Sequence, residues 1–284
     1  MNHPLKRSIA TPQWPSYTGT SQFLGTSPVG MVAVYYDPSL GEPALQNARD
    51  LLADADRVVA ANNALFGATG DPVSVIVFAL GGATDGTGGA DHAACNFADG
   101  GAIEVCASYG NSARVSALFE AELSECAMGG NLCGVSTGEA LSRWCAAVVG
   151  NNALADFATA PTWAQQGAPD FVNKTDPTDQ NAISTGCGMA FLSWLQNLGY
   201  PLATIAPAMV ALGTGATFAQ LYARLGAGAQ SSAFVKFSAA VKALPRVLSD
   251  DPFGALGVAA PGTKSKPKPK PKPRRGKSVG SGRR

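Results

Sequence analysis

Histidine is nearly absent from this chain: His3 and His92 are the only two in 284 residues. That scarcity excludes a metal site built from two imidazoles one helical turn apart. It also leaves no histidine after residue 92 to activate a serine placed later in the chain. Charge is sparse as well, at 14% of residues, while hydrophobic residues make up 46%, enough to core one large domain or two modest ones. No apolar run reaches the roughly 18–20 residues that span a bilayer. After Lys6 and Arg7 come polar residues and prolines rather than an apolar stretch, so no signal peptide is expected and the cytoplasm is the default compartment. No Walker A sequence, convincing dinucleotide fingerprint, internal repeat or C-x-x-C pair occurs. The expectation is therefore no metal and no cofactor. The six cysteines (95, 106, 126, 133, 145, 187) read either as three disulfides of an exported protein or as buried thiols. Cys95 and Cys106, which flank a short glycine-containing turn, are the pair most readily bridged.

What charge there is lies unevenly. From Lys264 onward there are ten basic residues and no acid, leaving eleven basic against twenty acidic residues in 1–263. Lysine and proline alternate from Lys266 to Pro273, followed by Arg274 and Arg275. Proline blocks helix and sheet hydrogen bonding and the like charges repel, which predicts an extended, polyproline-like tail. Lys266, Lys268, Lys270, Lys272, Arg274 and Arg275 would attract nucleic acid or another polyanion with strong salt dependence. No aromatic is interleaved to stack on bases, and a solubilising end is an equal reading. The chain divides into an irregular arm (1–30), a folded domain (31–248) and a disordered basic tail (249–284).

Within the domain, Met31–Tyr36 and Val73–Leu80 read as strands, the second apolar enough to be buried on both faces. Pro43–Phe66 keeps helical spacing through Leu45, Ala48, Leu51, Leu52, Ala55, Val58 and Val59. Gly81–Gly101, with seven glycines, reads as loop, and Ala102–Ala107 as a short strand. Asn111 or Ser112 caps a helix to about Met128, and Ser136 caps another through Val149. Thereafter helices are predicted over Gly188–Leu198, from Pro201, over Thr217–Leu225 and over Ser231–Leu244.

The helix from 112 carries Ala121-Glu122-Leu123-Ser124-Glu125 where a zinc peptidase has H-E-x-x-H. In that motif two histidines bind the metal and the glutamate is the general base. Here Ala121 stands at the first ligand position, Glu122 at the base and Glu125 at the second ligand. Residues 73–225 resemble uncharacterised bacterial zincin-like proteins whose motif helix reads A-E-x-x-E. The resemblance is carried by residues 121–125, by Thr137-Gly138-Glu139-Ala140-Leu141-Ser142-Arg143, and by Asp176-Pro177-Thr178-Asp179-Gln180-Asn181 leading to Ser184-Thr185-Gly186-Cys187. The chain is also similar, over two helices, to plant-type basic secretory proteins with an E-G-x-A-D helix. Glu139 matches the Glu of that helix, and Ser142 takes roughly its Asp position. The resemblance implies an α+β, zincin-like fold: a small mixed sheet with an active-site-type helix, then a helical C-terminal lobe.

Glu122 falls inside the apolar stripe Val115–Leu118–Phe119–Leu123–Cys126, Glu125 at its edge, and Glu120 points away. An inward carboxylate must be paired, hydrogen-bonded or protonated. Glu122, Glu125 and Glu139 are therefore the candidate catalytic residues, and Arg143, Asp176 and Asp179 the candidate binding residues. Each has a structural alternative. Ser136-x-x-Glu139 fits a capping box, Arg143 suits a buried pair with Glu122 or Glu125 in place of a metal, and Asp176 and Asp179 suit a turn. Gly134-Val135-Ser136-Thr137-Gly138 matches the nucleophile-elbow pattern, but no strand precedes it and no histidine follows. The expected function is a degenerate, metal-free peptidase-like domain that binds a protein or glycan in its cleft. The alternative is a hydrolase using the Glu122/Glu125 pair, and a zinc peptidase rebuilt around His92 is a more distant reading.

Overall fold

A computed structural model describes residues 12–97 and 101–257. The fold is mixed α+β, with a five-stranded mixed sheet and eight helices among the described residues. The strands are β1 (Gln22–Thr26), β2 (Val32–Tyr36), β3 (Val73–Phe78), β4 (Ala90–His92) and β5 (Ala102–Cys106), in spatial order β1-β2-β3-β5-β4. β2, β3 and β5 run parallel, while β1 and β4 are antiparallel edges.

The parallel centre is built from strands that are buried almost throughout: Val32–Tyr36 and Ala102–Cys106 wholly, and Val73–Phe78 except at Ser74. One sheet face (Val32, Val34, Val75, Val77, Ile103, Val105) packs on α1 (Glu42–Phe66) and α2 (Ser112–Ala127). α1 presents Ala48, Leu51, Ala55 and Val58 at helical spacing and ends at Gly67, whose φ of 66° suits a residue without a side chain. The other sheet face (Ala33, Tyr35, Ile76, Phe78) is covered by Trp14 and Tyr17. Glu104, buried on β5, fastens this covering segment by accepting hydrogen bonds from the Ser16 and Tyr17 amides at 2.9 and 2.7 Å and from Ser16 Oγ at 2.6 Å.

A second core gathers around α5 (Ala182–Asn197), with α3 (Ser136–Val149), α4 (Ala160–Gln165), α6 (Leu202–Val210), α7 (Phe218–Arg224) and α8 (Ala233–Lys242). Phe191 and Phe237 meet edge-to-face, 5.1 Å between ring centres, and Trp163 stacks on Phe237. Gly186 and Gly188 let α5 close on Thr159 and Ala140, where a Cβ would meet the Thr159 carbonyl oxygen at 2.3 Å and the Ala140 Cβ at 2.5 Å.

Four details depart from the sequence expectations. The arm 1–30 contains β1, formed because its backbone pairs with the exposed side of β2. The loop 81–101 contains β4. The packed chain runs on past 248: Asp250 accepts from the Thr159 and Ala160 amides, and Asp251 from the Ala255 and Leu256 amides. Cys95 is bonded to Cys133, while Cys106 is a buried free thiol whose Sγ lies 3.3 Å from the Ala83 carbonyl. The tail residues Lys266 to Arg275 lie outside the described residues.

Candidate functional site

The antiparallel pairing of β4 on β5 places His92 opposite Ile103. Directly paired residues share a sheet face, and Ile103 faces the helices, so His92 projects toward α2. There His92 Nε2 lies 2.9 Å from Glu125 Oε2 and 3.8 Å from Glu122 Oε2. The three side chains are 11%, 13% and 17% exposed for His92, Glu122 and Glu125. Glu122 and Glu125 are three residues apart on one helix and so reach the same place. Ser142 Oγ on α3 donates to Glu125 Oε1 at 3.0 Å.

Glu139, one turn before Ser142, joins the same cluster. The capping box foreseen for it does not form. α3 starts with Val135 as its cap residue, so Ser136 is already inside the first turn, and its Oγ accepts from the Asp176 amide at 2.9 Å. Glu139 is thereby left to face α2. Desolvation, followed by repulsion from Glu125, pushes its carboxyl up to about 8 against the opposing pull of Arg143. Desolvation, then Glu125, Glu139, Asp91 and Asp179, raise Glu122 well above the usual carboxyl range. Burial works to lower the His92 pKa, but the hydrogen bond and charge of Glu125 outweigh it, and the net direction is upward. His92 Nδ1 is buried and has no hydrogen-bond partner among the described residues.

Arg143 is not the counter-ion of Glu122 or Glu125. Successive helical residues turn by about 100°, so Ser142 and Arg143 leave Glu139 on opposite sides. The guanidinium donates to the Phe157 carbonyl and lies 3.7 Å from Asp250 and 3.8 Å from Glu139. Asp176 is a latch: its backbone carbonyl accepts from the Ser136 amide and its Oδ2 from Asn181 Nδ2 at 2.6 Å. Asp179 acts on the cluster through its charge. Glu120, expected to point away from the apolar stripe, is fully buried, because α2 is enclosed by α1 on one side and α3 on the other. Its Oε1 accepts from Ser124 Oγ at 3.2 Å.

Sequence reading underrated His92, which stands in no motif, and Ser142, which it noted only at the Asp position of the E-G-x-A-D helix. The one signal for His92 was its rarity. The Gly134–Gly138 pattern has a structural origin: Gly134 takes a φ of 66°, and at Gly138 a Cβ would meet the Leu132 carbonyl oxygen at 2.1 Å. The disulfide Cys95–Cys133 joins the chain just past His92 to the loop entering α3, bracketing the cluster from both sides. One donor atom each from His92, Glu122 and Glu125 lies within 4.8 Å of the others, so these three residues have the spacing to hold a cation. A separate cavity of about 440 Å³, lined by Leu65, Tyr200 and Leu256 among others, shares no residue with the cluster.

No family model matches the chain, and no curated protein or solved structure matches it either.

Proposed function

We propose that the domain is a hydrolase of zincin-like plan whose centre is the cluster of His92, Glu122, Glu125 and Glu139, acting on an extended polypeptide laid along β4. The observation that carries this reading is the convergence of an imidazole and three carboxyl groups from β4, α2 and α3 at the end of an edge strand. Among the described residues no strand pairs with the outer side of β4, and an extended chain binds such an edge by backbone hydrogen bonds.

Hydrolysis needs a group that takes a proton from water and one that gives a proton to the leaving atom. Carboxyl groups divide these roles when their surroundings separate their pKa values. Glu139, pushed up to about 8, holds a proton at neutral pH and is the acid. Glu125, oriented by Ser142 Oγ and His92 Nε2, is the acceptor for the proton of the attacking water. Asp179 adds negative charge to the field of the cluster, and Asp176 and Arg143 hold the frame.

The test is turnover of peptide, ester and glycoside panels by the full chain, with Glu139→Gln and Glu125→Gln beside it. Peptide cleavage that falls about 10²–10⁴-fold in each variant, with unchanged folding, is the expected result. No turnover on any panel overturns the reading.

A second reading is favoured by one observation: both Glu125 oxygens already have partners inside the fold, Ser142 and His92. On that basis the domain is a pseudo-peptidase that binds an extended partner without cutting it. The basic tail would then add attachment to polyanions through Lys266, Lys268, Lys270, Lys272, Arg274 and Arg275. A mobility shift with nucleic acid that is lost in a chain ending at Ala260 and weakens steeply with salt is the expected behaviour.

A further inference from the structure

We infer that His92 Nε2, Glu122 and Glu125 together bind one first-row divalent transition ion of the zinc class, in a ligand set that differs from the two-imidazole helix the motif position would lead one to seek. The inference deepens the hydrolase reading by naming the agent that would activate water there. Its binding claim stands or falls separately from catalysis.

The argument begins with donors that have too few partners. Glu122 is 13% exposed, and among the described residues no amide or hydroxyl donates to its carboxylate; its nearest charged partner is His92 at 3.8 Å. A carboxylate this deep normally collects donors or a cation. Charge count points the same way. Glu122, Glu125 and Glu139 share the cluster, with Asp91 and Asp179 adding to its field. The basic groups nearby are His92 and Arg143, and Arg143 is engaged by Asp250 and the Phe157 carbonyl.

Spacing and donor chemistry select the ion. A tetrahedral ion with bonds of about 2.0 Å holds its ligand atoms about 3.3 Å apart, and the separations of 2.9 and 3.8 Å from His92 Nε2 bracket that value. One imidazole with carboxylate oxygens suits Zn²⁺ or its neighbours, whereas thiolate-rich sets suit softer ions. Ca²⁺ wants six to eight oxygens, more than two glutamates on one helix turn supply. Three protein ligands leave a fourth position for water, the arrangement of hydrolytic zinc. The position is also braced: His92 is held by the β4–β5 ladder, and the chain three residues on by the Cys95–Cys133 bond. With Glu125 held as a ligand, water bound to the ion takes over the part that deprotonation by Glu125 plays in the metal-free scheme.

The experiment uses untagged full-length protein, stripped with chelator and titrated separately with Zn²⁺, Mn²⁺, Mg²⁺ and Ca²⁺ by calorimetry. X-ray absorption at the zinc edge is then recorded on the wild-type complex. The expected result is one Zn²⁺ per chain, Zn²⁺ preferred over Mg²⁺ and Ca²⁺, and a spectrum with a single imidazole, oxygen for the remaining ligands and no sulfur. His92→Asn and Glu122→Gln should each weaken binding by about 100-fold or more, beyond what loss of a supporting contact does. Absence of stoichiometric binding, sulfur or a second imidazole in the spectrum, or equal binding by the folded variants overturns the inference. Because the spectrum is taken on wild type, a variant that fails to fold leaves the decision intact. Zinc bound in this way without hydrolysis of any panel removes the hydrolase reading and keeps the site. Hydrolysis by protein that binds no zinc does the reverse.

Discussion

Cys95 is covalently joined to Cys133, and through that bond the segment following His92 is tied to the loop that launches the helix of Glu139 and Ser142. The bond closes a sequence separation of 38 residues, for which loop-closure entropy gives about 3–4 kcal/mol. Cys133→Ser or full reduction should therefore lower the melting temperature by several degrees. It should also speed amide exchange at 90–95, where β4 has only three residues of ladder to hold it. Unchanged exchange at β4 on reduction would mean that the ladder alone positions His92. A bond of this kind belongs with oxidising surroundings, so protein isolated from its native source under thiol-blocking conditions should show both cysteines protected.

Stability should fall as pH rises from about 5 to 8 in the presence of chelator. Glu120, Glu122 and Glu139 all have folded-state pKa values raised by desolvation above that of an ordinary carboxyl group. Between the unfolded and folded values, the native state binds more protons than the unfolded chain, so unfolding free energy decreases with pH. The contribution is complete below the unfolded value and is lost as pH climbs through the folded one. His92, also raised, acts in the same direction. Glu120 lies outside the cluster and isolates the effect. Glu120→Gln keeps an acceptor for Ser124 Oγ without a titrating proton, and its melting curve should depend less on pH than wild type does. A wild-type stability that climbs between pH 5 and 8 would mean that these carboxyl groups are ionised in the fold.

Much of the framework was legible because local signals were strong. The apolar run at Val73–Phe78 and the spacing within Glu42–Phe66 each describe an element without outside help. β4 and β1 were not legible: three residues in a glycine-rich stretch and five in a polar arm become strands only because neighbouring strands offer them edges. The candidate site divides along the same line. Glu122 and Glu125 announce themselves by sitting three apart in and beside the apolar stripe of one helix, whereas His92 reaches them through β4, and Ser142 through the packing of α3 on α2. The burial of Glu120 was not legible for a simple reason. Helical periodicity says which residues share a face, but not how many faces are covered, and α2 is enclosed on more than one.

Arg143 should matter for folding rather than for the charge of Glu122. Its guanidinium holds the Phe157 carbonyl and lies 3.7 Å from Asp250, and Asp250 in turn caps the amides of Thr159 and Ala160 at the start of α4. Arg143→Met removes the donor and should cost about 2 kcal/mol, read as a lower urea midpoint with an unchanged m-value. Zinc affinity should change little. A variant as stable as wild type but altered in metal affinity would place Arg143 functionally with Glu122 and Glu125.

Gly186 is the tightest contact between α5 and the segment entering α4. A Cβ there would meet the Thr159 carbonyl oxygen at 2.3 Å, its carbon at 2.5 Å and the Ala160 amide nitrogen at 2.8 Å, all of them backbone atoms. Backbone cannot swing aside as a flexible side chain does, so relief requires α5 or the 159–160 segment to shift. The Ala160 amide is also bonded to Asp250, which makes that shift break a second contact. Alanine is the better helix former by about 1 kcal/mol, yet overpacking of this kind costs about 1–3 kcal/mol or more. Gly186→Ala should therefore be net destabilising, while the control Gly226→Ala, at an open turn with a φ of 72°, should show only the milder backbone penalty of a left-handed position. A Gly186→Ala protein that melts at or above the wild-type temperature would show that α5 does not approach Thr159 this closely.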